Sequence, residues 1–109
     1  MPTVADELSI TILRRLADSP AVNQRELAEH AGVSLGRLNY ALRALVEKGW
    51  VKVGNFGRNP NKLGYAYLLT PRGIDAKTRL TKAFLARKMR EYDQLREQIA
   101  GLQREVGEQ

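Results

Sequence analysis

The sequence has no cysteine, which excludes disulfides, zinc–thiolate sites and cysteine nucleophiles. It has one histidine, His30, with no second ligand or base at useful spacing. A solvated imidazole is the default there, and no metal site is expected. Paired carboxylates in a glycine-framed pocket are missing too, so nothing is left to carry acid–base or nucleophilic chemistry, and neither an enzyme nor a cofactor is expected. No apolar run reaches the roughly 18 residues a membrane helix needs, and no signal-peptide pattern is present, so a soluble intracellular protein without a membrane partner is expected. Acids are scarce in the middle of the chain. Between Arg37 and Arg90 only Glu47 and Asp75 offset 13 Lys and Arg, a local balance of +11, while the flanks carry −2 and −3. A basic block between acidic ends has the form of an electrostatic footprint for a polyanion; surplus lysine kept for solubility is the plainer alternative.

What is present centres on residues 24–49, QRELAEHAGVSLGRLNYALRALVEKG. Asn23 can cap a first short helix, with Glu26 three residues on to complete a capping box. Leu27, Ala28 and Ala31 share one face of that helix, and Gly32 supplies a left-handed stop. Ser34 caps a second helix in which Leu38, Ala41, Leu42 and Leu45 repeat at helical spacing. Ala28 is small where the second helix must cross, and Val33 is the apolar plug of the turn. This is a helix-turn-helix, a motif that lays its second helix in the DNA major groove. Removing the core positions leaves Leu35, Gly36, Arg37, Asn39, Tyr40 and Arg43 facing outward. Arg can bind guanine and Asn adenine through paired hydrogen bonds, and Gly36 lets backbone approach a phosphate.

A first helix is predicted from a Thr3 cap to about Ala17, with Leu8, Ile12, Leu13 and Leu16 on one face, completing a three-helix core. After Gly49 the period changes. Residues 50–53 and 65–70 read as two strands around NFGRNPNKLG, whose Arg58, Asn59 and Lys62 make a basic hairpin tip. Three helices followed by such a hairpin make a winged helix, with the tip along the DNA backbone or in the minor groove. A flexible loop is the simpler alternative. Trp50 is expected in the core, anchoring helix to hairpin.

Thr70–Pro71 then opens a long helix. Thirty-six residues of it would extend about 54 Å, more than so small a domain can bury. Leu85, Tyr92, Leu95, Ile99, Leu102 and Val106 step by 7, 3, 4, 3 and 4, a heptad seam with Lys88 at the skipped position. The natural partner is a second copy of the same helix, in parallel or antiparallel orientation. Leu80 and Phe84, off the seam, are expected to tie the helix root to the winged domain. The basic proximal half (Lys77, Arg79, Lys82, Arg87, Lys88, Arg90) either runs near DNA or is a solvated face. The expected class is mainly α with a small β-hairpin: a winged helix-turn-helix over residues 1–72 and a dimerising coiled-coil helix over 73–109.

ELAEHAGVSLGRLNYALRALVEKGWV and, after the hairpin, LLTPRG resemble the MarR-type winged-helix transcriptional regulators, over Leu8 to about Asp75. More narrowly, SLGRLNYALRALVEKGWVKV with NPNKLGYAYLLTPRGI is similar to the small MarR regulators associated with bacterial exopolysaccharide genes. The resemblance implies base-reading positions at Ser34, Gly36, Arg37, Asn39, Tyr40 and Arg43, and wing contacts at Arg58 and Lys62. It also implies a bacterial cytoplasmic, nucleoid-associated location and control of polysaccharide biosynthesis genes. Larger MarR proteins dimerise through helices at both ends around a ligand cleft. This chain begins near its first core helix and ends in one long helix, which leaves a small-molecule effector doubtful. The expected function is therefore sequence-specific binding of double-stranded DNA as a homodimer. An architectural DNA binder of low specificity, or a winged-helix protein-interaction module, are the rivals.

Overall fold

A computed structural model describes residues 4–19, 23–55 and 65–107. Three helices, α1 (Val4–Asp18), α2 (Gln24–Ala31) and α3 (Leu35–Glu47), are followed by strands β1 (Val51–Asn55) and β2 (Tyr65–Leu69) and by a final helix α4 (Pro71–Gly107). The helix boundaries follow local chemistry. Asn23 Oδ1 accepts the Glu26 N–H at 2.8 Å, and Ser34 Oγ accepts the Arg37 N–H at 3.2 Å. Both bonds satisfy amides that a helix start leaves without an intrahelical partner. Gly32 sits at φ 69°, and the Val33 N–H turns back to the Ala28 carbonyl at 3.1 Å, so the chain reverses within three residues. The predicted Thr3 cap lies outside the described residues.

The core forms where these elements face one another. Leu8, Ile12, Leu13 and Leu16 of α1 pack with Leu27 and Ala28 of α2 and Leu38, Leu42 and Leu45 of α3, closed below by Val51 and Tyr67 of the hairpin. Val33 packs against this cluster as the expected plug. Ile10 is also buried, at 3% exposure, although it lies off the predicted face of α1. The strands pair antiparallel with Val51 opposite Leu69 and Val53 opposite Tyr67. Trp50 is half-buried rather than enclosed: it packs on the core edge, with Lys48 Nζ 4.7 Å from its ring centroid. Three helices and a two-stranded antiparallel hairpin make this a winged helix with a long helix appended.

α4 starts at Pro71, as the Thr70–Pro71 pair led one to expect. Thr70 makes the junction: its N–H donates to the Trp50 carbonyl at 3.0 Å, and its Oγ1 accepts the Gly73 N–H at 3.0 Å. Gly73 is needed there because a Cβ would stand 1.9 Å from the Trp50 carbonyl oxygen. The proximal part of α4 then returns across α1, burying Ala76 and half-burying Leu80 and Phe84. Arg87 reaches Glu7 of α1 at 3.5 Å, and from Lys88 to Ile99 every residue is exposed. The molecule is accordingly elongated, 68 × 25 × 21 Å.

Candidate nucleic-acid interface

α3 is divided along its length into an inner and an outer face. Leu38, Leu42 and Leu45 are at most 2% exposed, which fixes the helix on the core. The same rotation turns Ser34, Leu35, Gly36, Arg37, Tyr40 and Arg43 to solvent. Tyr40 is the extreme case at 80% exposed, an aromatic ring left in water on a helix that buries Leu38, Leu42 and Leu45. Gly36 is also informative. A Cβ there would meet no atom within 4 Å, so the fold itself does not require glycine at that position.

Asn39 differs from the outward placement expected of it. It is half-buried, and its Nδ2 donates to Gln24 Oε1 at 3.1 Å. Gln24 Nε2 in turn donates to the Tyr67 hydroxyl at 2.7 Å. The amide at the edge of the outer face is thereby oriented by α2 and by the hairpin together. Sequence reasoning missed Gln24 because the bond spans 15 residues and joins two different helices. Arg58, Asn59 and Lys62, the expected wing contacts, lie outside the described residues.

Exposed cations are carried on α3 and on the elements that follow it in the chain. Arg37, Arg43, Lys48 and Lys52 are exposed on α3 and the start of the hairpin, and Arg72 and Arg79 are exposed on proximal α4. His30 is exposed as well, and no group of three potential metal ligands occurs among the described residues. No described helix is long and apolar enough to cross a membrane.

Of the seam residues, Leu85, Tyr92, Leu95, Ile99, Leu102 and Val106 are 45–73% exposed. Met89, absent from the predicted seam, is 59% exposed beside it. Its position flanks the stripe instead of repeating within it, which is why heptad spacing did not select it.

A three-helix core, an antiparallel hairpin and an exposed outer face on the third helix define the winged-helix fold. Residues 6–52 match the family model described as winged helix-turn-helix DNA-binding. Within that class the chain is similar to the HTH-type transcriptional regulator LrpA of Pyrococcus horikoshii, with 36% identity over 93 residues. That match covers 84% of this chain, which spans 62% of the relative's length. Among solved structures it resembles the MarR family protein Rv2887 of Mycobacterium tuberculosis in complex with DNA: TM-score 0.60, 30% identity, 75% of this chain and 58% of that one. A MarR protein from Peptoclostridium difficile shares the fold at TM-score 0.66 and 20% identity, over 78% of this chain and 54% of its own. The structural neighbours are thus MarR-family regulators, whereas the sequence relative carries a different name. The chain shares its winged-helix fold with the structural neighbours, and the sequence relative is named for a helix-turn-helix.

Proposed function

We propose that the protein is a transcriptional regulator that binds double-stranded DNA sequence-specifically as a homodimer, with α3 as its reading helix. The observation that carries this reading is the two-faced character of α3: three leucines anchor it, and Arg37, Tyr40, Arg43 and the bare backbone of Gly36 face outward together. Arg37 and Asn39 are the candidates for paired hydrogen bonds to base edges. Ser34, Gly36 and the exposed cations of the basic block are assigned to phosphates, which position the helix without reading sequence. Arg58, Asn59 and Lys62, between the two strands in sequence, are assigned to the backbone or minor groove beside it.

The homodimer is supported by the apolar seam of α4, which no part of its own subunit covers among the described residues. The two units, a reading head over residues 1–72 and a pairing helix over 73–109, then have separate tasks. On the sequence resemblance alone, promoters of exopolysaccharide biosynthesis genes are the first targets to try. Binding to a selected duplex and to random duplex at matched salt tests the reading. Specific binding is expected to be roughly 10³-fold tighter or more, and both affinities should fall steeply with salt. Equal affinities would favour an architectural role. Absence of salt-sensitive DNA binding would favour a protein-interaction module.

A further inference from the structure

The flanks of the α4 seam carry a second pattern that selects the orientation of the pair. With Tyr92 and Ile99 at a, and Leu95 and Leu102 at d, the g positions are Phe84, Glu91, Gln98 and Glu105. The e positions are Met89, Arg96 and Gln103. In a parallel, in-register pair each g residue meets the e residue five positions on in the other chain. Below the fork, Glu91 then meets the partner's Arg96 and Gln98 the partner's Gln103. Acid meets base and amide meets amide, each contact occurring twice by symmetry.

Antiparallel pairing sets g against g and e against e. The register that stacks Tyr92 on the partner's Leu102 and Leu95 on the partner's Ile99 brings Glu91 against the partner's Glu105. It also brings Arg96 against the partner's Arg96. Sliding by one heptad toward the head removes both repulsions but seats Ile99 on the partner's Lys88 in the core of the coil and Phe84 against the partner's Glu105. Sliding the other way also removes them but leaves Tyr92 opposite no seam residue.

Lys88 occupies the d position nearest the head, where a parallel coil would bring two ammonium groups together. In the structure its Nζ is bound to Glu91 Oε2 at 3.1 Å and lies 5.1 Å from the Phe84 ring centroid, so the charge is drawn to the flank. Arg87, one residue earlier, is where α4 makes its ion pair with α1. The end of the head and the interruption of the seam therefore coincide, as expected of a fork.

We propose that residues 89–106 of two α4 helices zip in parallel and in register, with the chains diverging at Lys88 so that both winged heads lie at one end of the coil. The inference rests on the homodimer reading above, and adds that both reading helices are held on one side, able to address a single duplex. Leu102 is 61% exposed and far from the head, so replacing it leaves the domain folded, and the chain has no cysteine of its own. In Leu102→Cys the two thiols of a parallel coil face each other across a d layer, within disulfide reach. Mild oxidation of the full chain is expected to join most chains, while Gln94→Cys, on the outer surface of the coil, stays unjoined. Leu102→Cys remaining unjoined while a mixture of Leu102→Cys and Tyr92→Cys crosslinks would make the coil antiparallel. A dimer in which neither joins, or in which Gln94→Cys joins as readily, would overturn the parallel, in-register coil. Sedimentation of the unmodified chain as a monomer would instead overturn the homodimer reading itself.

Discussion

The head and the distal part of α4 are both helical, but they hold their apolar side chains in opposite ways. In the head, Ile12, Leu13, Leu27 and Leu38 have no exposed surface, and each helix covers another. Beyond Arg87, Tyr92, Leu95, Ile99 and Leu102 lie 45–61% exposed, and nothing among the described residues covers them. Burying a leucine or phenylalanine is worth about 1.5–3 kcal/mol, so the head gains its stability within one chain. On the homodimer reading proposed above, the tail gains the same term from a second chain, since most helical stability comes from packing an amphipathic face. Folding and pairing are thus assigned to different stretches of one polypeptide, and substitutions should separate them.

The largest effect is expected at the junction of the two. Gly73→Ala drives a methyl into the Trp50 carbonyl, so the start of α4 must shift away from the hairpin. A loss of about 3 kcal/mol in thermal or denaturant unfolding is expected, in line with overpacking at a backbone contact. Next comes Ile99→Asp, in the middle of the seam, which should abolish the dimer in sedimentation while leaving the melting of the head unchanged. DNA affinity should then fall by roughly 10²-fold or more, because two linked heads bind with gained effective concentration. If the head melted earlier in this variant, the separation of tasks would be wrong.

Arg37→Ala is expected to leave both folding and pairing intact and to cost about 1–3 kcal/mol of DNA binding, with relaxed preference at one base pair. Uniform weakening on every duplex would make Arg37 a phosphate contact instead. Gln24→Leu is subtler. It removes the acceptor that holds the Asn39 amide, so discrimination at a single base position should fall while affinity for random duplex stays the same.

The smallest effect concerns pH. The hydrogen bond from Lys88, helped by the charges of Lys88 and Arg87, holds the Glu91 carboxyl below its ordinary range. A lowered folded-state pKa means that the contribution is complete above the ordinary carboxylate range and is lost as pH falls through the lowered value. Because Glu91 is fully exposed, acid should weaken the tail slightly and leave the melting of the head near neutral pH unaltered. Circular dichroism of the full chain against pH checks it.

Much of this organisation could be read from residue order because it depends on rules that act over three or four residues. The Asn23 and Ser34 caps, the left-handed Gly32, the buried stripe of α3, the Thr70–Pro71 start and the exposed seam are all of that kind. What escaped depends on contacts between distant segments. The Gln24–Asn39–Tyr67 chain draws on α2, α3 and β2, and Gly73 is demanded by the backbone of Trp50, 23 residues earlier. Val53 shares one side of β1 with Val51, yet it is 51% exposed, since the core cluster reaches only as far as Val51 on this strand. Asn39 is the site residue most altered by this, since its outward side on the helical wheel is also within reach of Gln24.

Selection of bound duplexes from a random pool tests the central claim most directly. Two identical half-sites in inverted orientation at one fixed spacing are predicted, with a base preference that changes in Arg37→Ala. A bound pool indistinguishable in sequence from the starting pool would contradict the assignment of α3 as a reader of bases.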